Sequence, residues 1–270
     1  MYESIAYRTP GVMPRNGHAA VAPDGMQSRA EHLGNCEPLA MLTNEQLAKL
    51  ETHGRVREFT PKTPIYLPTE PSESVYVLSD GLAKICHRTK DGKESILTFV
   101  ETGEIFGERA IFESGPRDEY VESIEACKVI LLPVTIMRQL IESRVDISIA
   151  LNKITSRRRH QIETRLKNLL FLSNRERLIH LLLDLTTQFG VPHAEGVRLR
   201  IKLSHQDVAN LIGSTRETVT VLLGQLKSEH SVSGGRQRIV LADPHRLAEE
   251  VGREFQSTPA RIPGPHIGGF

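Results

Sequence analysis

Apolar and polar positions along the chain change period several times, and each change marks a different kind of element. Up to about residue 38 there is no apolar period; Gly, Pro, Ala and polar residues predominate, as in a disordered N-terminal arm. Thr43 then opens a short helical run, TNEQLAKLETHG, with Thr43 as cap, Gln46 at the capping-box position and Gly54 as the stop. From Val56 the period drops to two. The strand-like runs VREFT, IYLP, SVYVLSDG, LAKICHRT, ESILTFV, EIFGE, EYVESIEA and CKVILLPV follow, separated by Gly, Pro and Asp. Such regular short runs predict a β-roll or jelly roll, and KDGK at 90–93 supplies a hairpin turn whose twist suits the flanking strands.

Helical periodicity returns after the last run. Residues 135–144 predict a short helix leaving the roll, and 145–171 a long helix without Gly or Pro. Ile147, Leu151, Ile154, Arg158, Ile162, Leu166 and Leu169 recur at three- and four-residue spacing, which is a coiled-coil seam and implies a parallel homodimer. The plainer alternative is a helix packed on its own roll. A further amphipathic helix is expected over 175–190, with Leu178, Leu181, Leu182 and Leu185 inward, then a short strand over 197–201.

Residues 203–227, LSHQDVANLIGSTRETVTVLLGQLK, read as two helices around a tight turn. Ser204 caps the first, with Asp207 at the capping-box position; Val208, Leu211 and Ile212 give it an apolar face. Gly213 provides the turn, and Ser214 or Thr215 caps the second helix. Val219, Leu222, Leu223 and Leu226 keep that helix on a core, leaving Arg216, Glu217, Thr220 and Val221 outward. This is the pattern of a helix-turn-helix, whose second helix enters the DNA major groove; an ordinary αα-hairpin is the alternative. Arg suits guanine O6/N7, and Glu accepts from cytosine N4. SVSGGRQRIVLAD then predicts a β-hairpin wing carrying Arg236 and Arg238, and a last short helix spans 244–251 before a Pro- and Gly-rich tail.

The segment GSTRETVTVLLGQL resembles the DNA-reading motif of the CRP/FNR superfamily of bacterial transcription regulators. The run from FGVPHAEG through LSHQ and IGSTR is most similar to its nitrogen-control branch. VYVLSDGLAKI, GKE and GEIFGE in turn resemble the cyclic-nucleotide-binding fold, so the resemblance covers roughly residues 42–251. It implies an α+β chain: a disordered arm (1–38), a β-roll sensor (39–143), a dimerisation helix (144–172), a winged helix-turn-helix (173–251) and a disordered tail (252–270). It further implies double-stranded DNA and RNA polymerase as partners. Arg216 and Glu217 would read bases, with Thr220 and Val221 bordering the next pairs. Ser204, His205, Gln206, Thr215, Arg236 and Arg238 are candidates to position phosphates, and Ser214 is counted with the DNA-binding residues. Val221 stands where relatives carry a second base-reading Arg, so half-site preference should differ from theirs.

Composition narrows the classes. Net charge is +1 over 270 residues, yet 153–177 is locally basic, as phosphate contact requires. The three cysteines, Cys36, Cys86 and Cys127, lie far apart with no CxxC, which argues for a reducing cytoplasm and against an iron–sulfur cluster. No metal-ligand spacing, secretory h-region or membrane-length apolar run is seen. No nucleophile–base constellation supports an enzyme. A sensing module that signals through protein partners is the competing class.

For the effector, the resemblance implies a phosphate-binding cassette: Phe106, Gly107, Glu108, Arg109 and Ala110 match its first half, and Arg117 its phosphate-pairing Arg. Asp118 and Glu119 replace the small hydroxyl residue and Ala of cyclic-AMP binders, and a carboxylate there opposes a phosphate. Arg117 would otherwise pair with Asp118 or Glu108. The nitrogen-control branch uses an Arg and a Glu five residues later on the long helix to hold 2-oxoglutarate, and Arg158 and Glu163 match. Glu108 departs from that branch and opposes a dicarboxylate; Arg158 would otherwise pair with Glu163 or Glu108, locking a dimer without ligand. A cyclic nucleotide, 2-oxoglutarate and no effector at all stay open.

Overall fold

The computed structural model describes residues 29–235 and 237–255. The expectations for 1–28, for Arg236 and for 256–270 lie outside the described residues. Two short helices come first, α1 (Arg29–Gly34) and α2 (Asn44–His53); α2 is capped by Thr43, whose hydroxyl accepts from the Gln46 N–H while Gln46 reaches back. The roll follows as β1 (Arg55–Phe59), β2 (Pro64–Tyr66), β3 (Ser74–Asp80), β4 (Leu82–Arg88), β5 (Glu94–Glu101), β6 (Ile105–Phe106), α3 (Arg109–Phe112), β7 (Tyr120–Ser123) and β8 (Cys127–Pro133). Two antiparallel four-stranded sheets, β1-β8-β3-β6 and β2-β7-β4-β5, enclose Tyr66, Leu78, Phe106, Val121 and Val129. The β4–β5 hairpin turns at Gly92, whose φ of 83° favours glycine.

The chain leaves the roll through α4 (Val134–Ser143) into α5 (Val145–Phe171). Then come α6 (Asn174–Phe189), β9 (Gly190–His193), β10 (Gly196–Leu199), α7 (His205–Ile212), α8 (Arg216–Ser228), β11 (Val232–Ser233), β12 (Val240–Leu241) and α9 (Pro244–Glu250). The strands form one antiparallel sheet, β11-β12-β10-β9, flanking the helices. Capping boxes at Ser173 and Ser204 fix the starts of α6 and α7. β9 was not foreseen from the sequence; it pairs with β10 across a turn at Ala194 and Glu195.

Three expectations are corrected. Residues 29–38 are not part of a disordered arm: α1 is helical, and Leu33 and Cys36 are fully buried with Leu39 against the roll. A six-residue helix is too short to show a period, which is why the pattern missed it. Residues 252–255 are likewise ordered: Arg253 pairs with Asp184 at 2.7 Å, and Phe255 packs edge-on to His245. The seam of α5 splits. Ile147, Leu151 and Ile154 pack into the roll's own core with Val75, Ile105, Leu132 and Met137, whereas Ile162, Leu166 and Leu169 on the same stripe are exposed. The helix outruns its domain, so only its first half finds cover there.

Candidate nucleic-acid interface and effector pocket

The outward face of α8 follows from its inward one. Val219, Leu223 and Leu226 are buried against α6 and α7, which at 100° per residue turns Glu217 and Val221 to the opposite side, with Arg216 and Thr220 flanking. All four are exposed. Gly213 ends α7 in the left-handed region, with φ 62°, and Thr215 caps α8 by accepting from the Thr218 N–H at 3.2 Å. The turn therefore delivers the N-terminus of α8, with Arg216 and Glu217 first, to the surface. Thr220 is less free than expected: its hydroxyl donates to the Arg216 carbonyl at 2.8 Å and meets His205 Nδ1 at 2.8 Å. Ser204 is spent on Asp207, and Gln206 meets the Asn210 amide at 2.8 Å. Ser214 is half-buried, and Arg238 is exposed on the β11–β12 hairpin.

The helix-turn-helix unit docks on the β4–β5 face of the roll, a contact the sequence did not disclose. Leu82, Cys86, Ile96, Phe99 and Tyr120 share one core with Leu178, Leu182, Phe189 and Val208, and Phe99 meets Phe189 edge-on at 5.6 Å. Beside this core lies a cleft lined by both units, including Lys84, Arg88, Glu94, Asp207, Arg216 and Glu217. Lys84 sits 2.6 Å from Glu94, 3.4 Å from Glu122 and 3.8 Å from Asp207 of α7. Arg88 bonds both roll carboxylates and lies over the Tyr120 ring. Burial opposes ionisation of Glu94, but the bonds from Lys84 and Arg88 outweigh it and hold the carboxyl below its usual range. Arg200 pairs with Glu101, whose other oxygen accepts from Gln188 at 2.8 Å.

In the cassette, Phe106 and Ala110 are buried, and Gly107 has φ 67°; a Cβ there would stand 2.9 Å from Arg117 Nη1. Arg117 pairs with neither Asp118 nor Glu108. It is buried between the Tyr66 and Tyr76 rings, at 4.2 and 4.9 Å, and donates through Nη2 to the Ser74 carbonyl at 2.5 Å; its Nε is buried without a partner among the described residues. Asp118 instead pairs with the exposed Arg109, which also holds Glu113. Glu119 accepts from the Tyr66 hydroxyl at 2.9 Å, and burial raises its pKa above the usual carboxylate range. Of the two anions weighed for Arg158, the structure selects Glu108 at 2.9 Å; Arg158 also donates to the Ile105 carbonyl at 2.7 Å. Glu163 lies instead beside Arg159, so the Arg158–Glu163 pair is not assembled. Tyr66 and Tyr76 are the residues around Arg117 that sequence reasoning missed, since they come from the separate strands β2 and β3.

The three thiols are buried; burial pushes Cys36 and Cys86 up to about 12 and Cys127 to about 11, far from nucleophilic or ligating forms at neutral pH. Among the described residues no His, Cys, Asp and Glu group is arranged to hold a metal, and no helix is long and apolar enough to cross a membrane.

Comparison with known proteins agrees with this architecture. Residues 56–144 match the cyclic nucleotide-binding domain, and residues 176–250 match the Crp-like helix-turn-helix domain. The global nitrogen regulator of Synechocystis sp. is 31% identical over 197 residues, covering 72% of this chain and 88% of that protein. The CRP-like cAMP-activated global transcriptional regulator of Mycobacterium tuberculosis is 28% identical over 184 residues, covering 68% and 82%. Among solved structures, a CRP/FNR-family transcriptional regulator from Thermus thermophilus superposes with a TM-score of 0.60 at 25% identity, covering 73% of this chain and 98% of that one. The c-di-GMP responsive global regulator CLP of Xanthomonas campestris shares the fold, with a TM-score of 0.66 at 22% identity over 74% of this chain and 100% of that one.

Proposed function

This chain belongs to the CRP/FNR family of transcription regulators, and from that premise we propose that it acts as a homodimer that reads a palindromic DNA site and contacts RNA polymerase. The observation that carries the reading is the exposed outer face of α8: a capped helix N-terminus presents Arg216 and Glu217 on a rigid support of Val219, Leu223 and Leu226. Arg and Glu there match guanine and cytosine edges, and the exposed Arg238 suits a phosphate. The uncovered apolar stripe Ile162, Leu166 and Leu169 supports pairing through the C-terminal half of α5. Two half-sites about one helical turn apart, ~10–10.5 bp, follow from such a dimer.

For the effector, a buried Arg117 whose Nε has no partner among the described residues supports an anion of the cyclic-nucleotide class in the roll. The 2-oxoglutarate alternative has less support, since Arg158 is already neutralised by Glu108 and Glu163 lies elsewhere. Catalysis plays no part in this proposal.

The test is a fluorescence titration against the protein's own upstream region, run alone, with cyclic AMP and with 2-oxoglutarate, for the native chain and Arg216→Ala. Arg216→Ala should abolish specific binding and leave weak, salt-sensitive binding. Equal loss on random DNA would remove Arg216 from base reading.

A further inference from the structure

Val221 is 60% exposed, and among the described residues it is the one large apolar side chain left exposed C-terminal to α5. It stands at the centre of the outward face of α8, one helical turn after Glu217. No described residue covers that exposed part. Its neighbours sharpen the surface. The Thr220 hydroxyl is committed to the Arg216 carbonyl and the His205 ring, so the polar group beside Val221 has its partners within the protein. Gly224, three residues further along the same face, sits in mid-helix, and a Cβ there would meet nothing within 4 Å. Packing does not require that glycine, and it costs the helix about 1 kcal/mol relative to alanine. A bare backbone next to an exposed branched apolar side chain is a surface shaped for close apolar approach from outside.

In the DNA major groove one base pair alone offers an apolar target: A·T, through the C5-methyl group of thymine. We propose that Val221 is a specificity determinant that packs on a thymine C5-methyl in each half-site, at the position following the pairs read by Arg216 and Glu217, with Gly224 allowing the approach. The inference rests on the DNA-reading role of α8 and deepens it. A cation at this position would select guanine; an isopropyl group selects a methyl.

The experiment takes the full chain, selects sites from randomised half-site duplexes, and then compares dT with dU, which lacks the methyl, at the selected position by fluorescence anisotropy. Burying one methyl corresponds to about fourfold in affinity. The native chain should enrich thymine there and bind the dU duplex about fourfold more weakly per substituted half-site. Val221→Ala should bind the dT and dU duplexes alike, with the preferences at the Arg216 and Glu217 positions intact in both proteins. Equal binding of dT and dU by the native chain, or a dT preference that persists in Val221→Ala, overturns the assignment while those preferences stand. Absence of any sequence preference in every protein overturns the DNA-reading role itself.

Discussion

The Arg158 guanidinium of α5 donates to the Glu108 carboxylate of the cassette at 2.9 Å, joining residues 50 apart in sequence, with both side chains nearly buried. The long helix and the roll segment 106–117 are thus joined by an ion pair.

Removing one partner of this pair leaves the other charged in a partly desolvated site. Arg158→Ala should destabilise the protein by roughly 2–4 kcal/mol in urea unfolding. The double variant Arg158→Ala/Glu108→Gln should recover part of that loss because no charge is stranded. Additive losses would show that the pair contributes no coupling.

Glu119 provides a pH test. Burial, reinforced by the charges of Glu108 and Asp118, exceeds the help from the Tyr66 hydroxyl and raises its pKa in the folded state. The ionised carboxylate therefore costs stability in full above the raised folded value, and the cost fades as pH falls from there and is gone below the unfolded-state pKa of about 4.3. Glu119→Gln should raise the thermal midpoint by about 1–3 °C at pH 7.5 and by nothing near pH 4. On the cyclic-nucleotide reading proposed above, it should also tighten that binding in calorimetry, since it removes a negative charge that opposes a phosphate. A variant less stable than the native chain at pH 7.5 would contradict the account.

Glu94 has the opposite sign. Its pKa is held below the usual range, so its stabilising contribution is present above the unfolded-state value and is lost as pH falls through the folded one. Glu94→Gln should cost about 1–2 kcal/mol at pH 7, mostly in the docking of α7 on the roll, and progressively less as pH falls below the unfolded-state value of about 4.3 and through the lowered folded one. Hydrogen exchange across α7 and β5 is the readout. Equal protection in both proteins at pH 7 would mean that the shared apolar core alone holds the units together.

Much of the architecture could be read from local signals. Capping boxes at Thr43 and Ser204, the glycine turns at Gly92 and Gly213, and the switch between periods of two and 3.6 each act within a few residues. The outward set Arg216, Glu217, Thr220 and Val221 was legible for the same reason: once Val219, Leu223 and Leu226 face inward, helix geometry leaves no other choice.

What stayed hidden depends on which surfaces meet. The stripe along α5 is one sequence pattern, yet its first half is covered by the roll and its second half is not, because the helix is longer than the domain it leaves. Arg117 has anions as sequence neighbours but turns to Tyr66, Tyr76 and the Ser74 carbonyl, since burial between rings from other strands outweighs proximity along the chain. Lys84 meets Asp207 across two units that no local period relates. The sequence by itself determined the elements, their caps and the face that α8 presents, because those follow from interactions between near neighbours. The tertiary structure alone decided the partners of Arg117, Arg158 and Lys84, because a buried charge goes wherever the packed chain brings it a counter-charge, a carbonyl or an aromatic face.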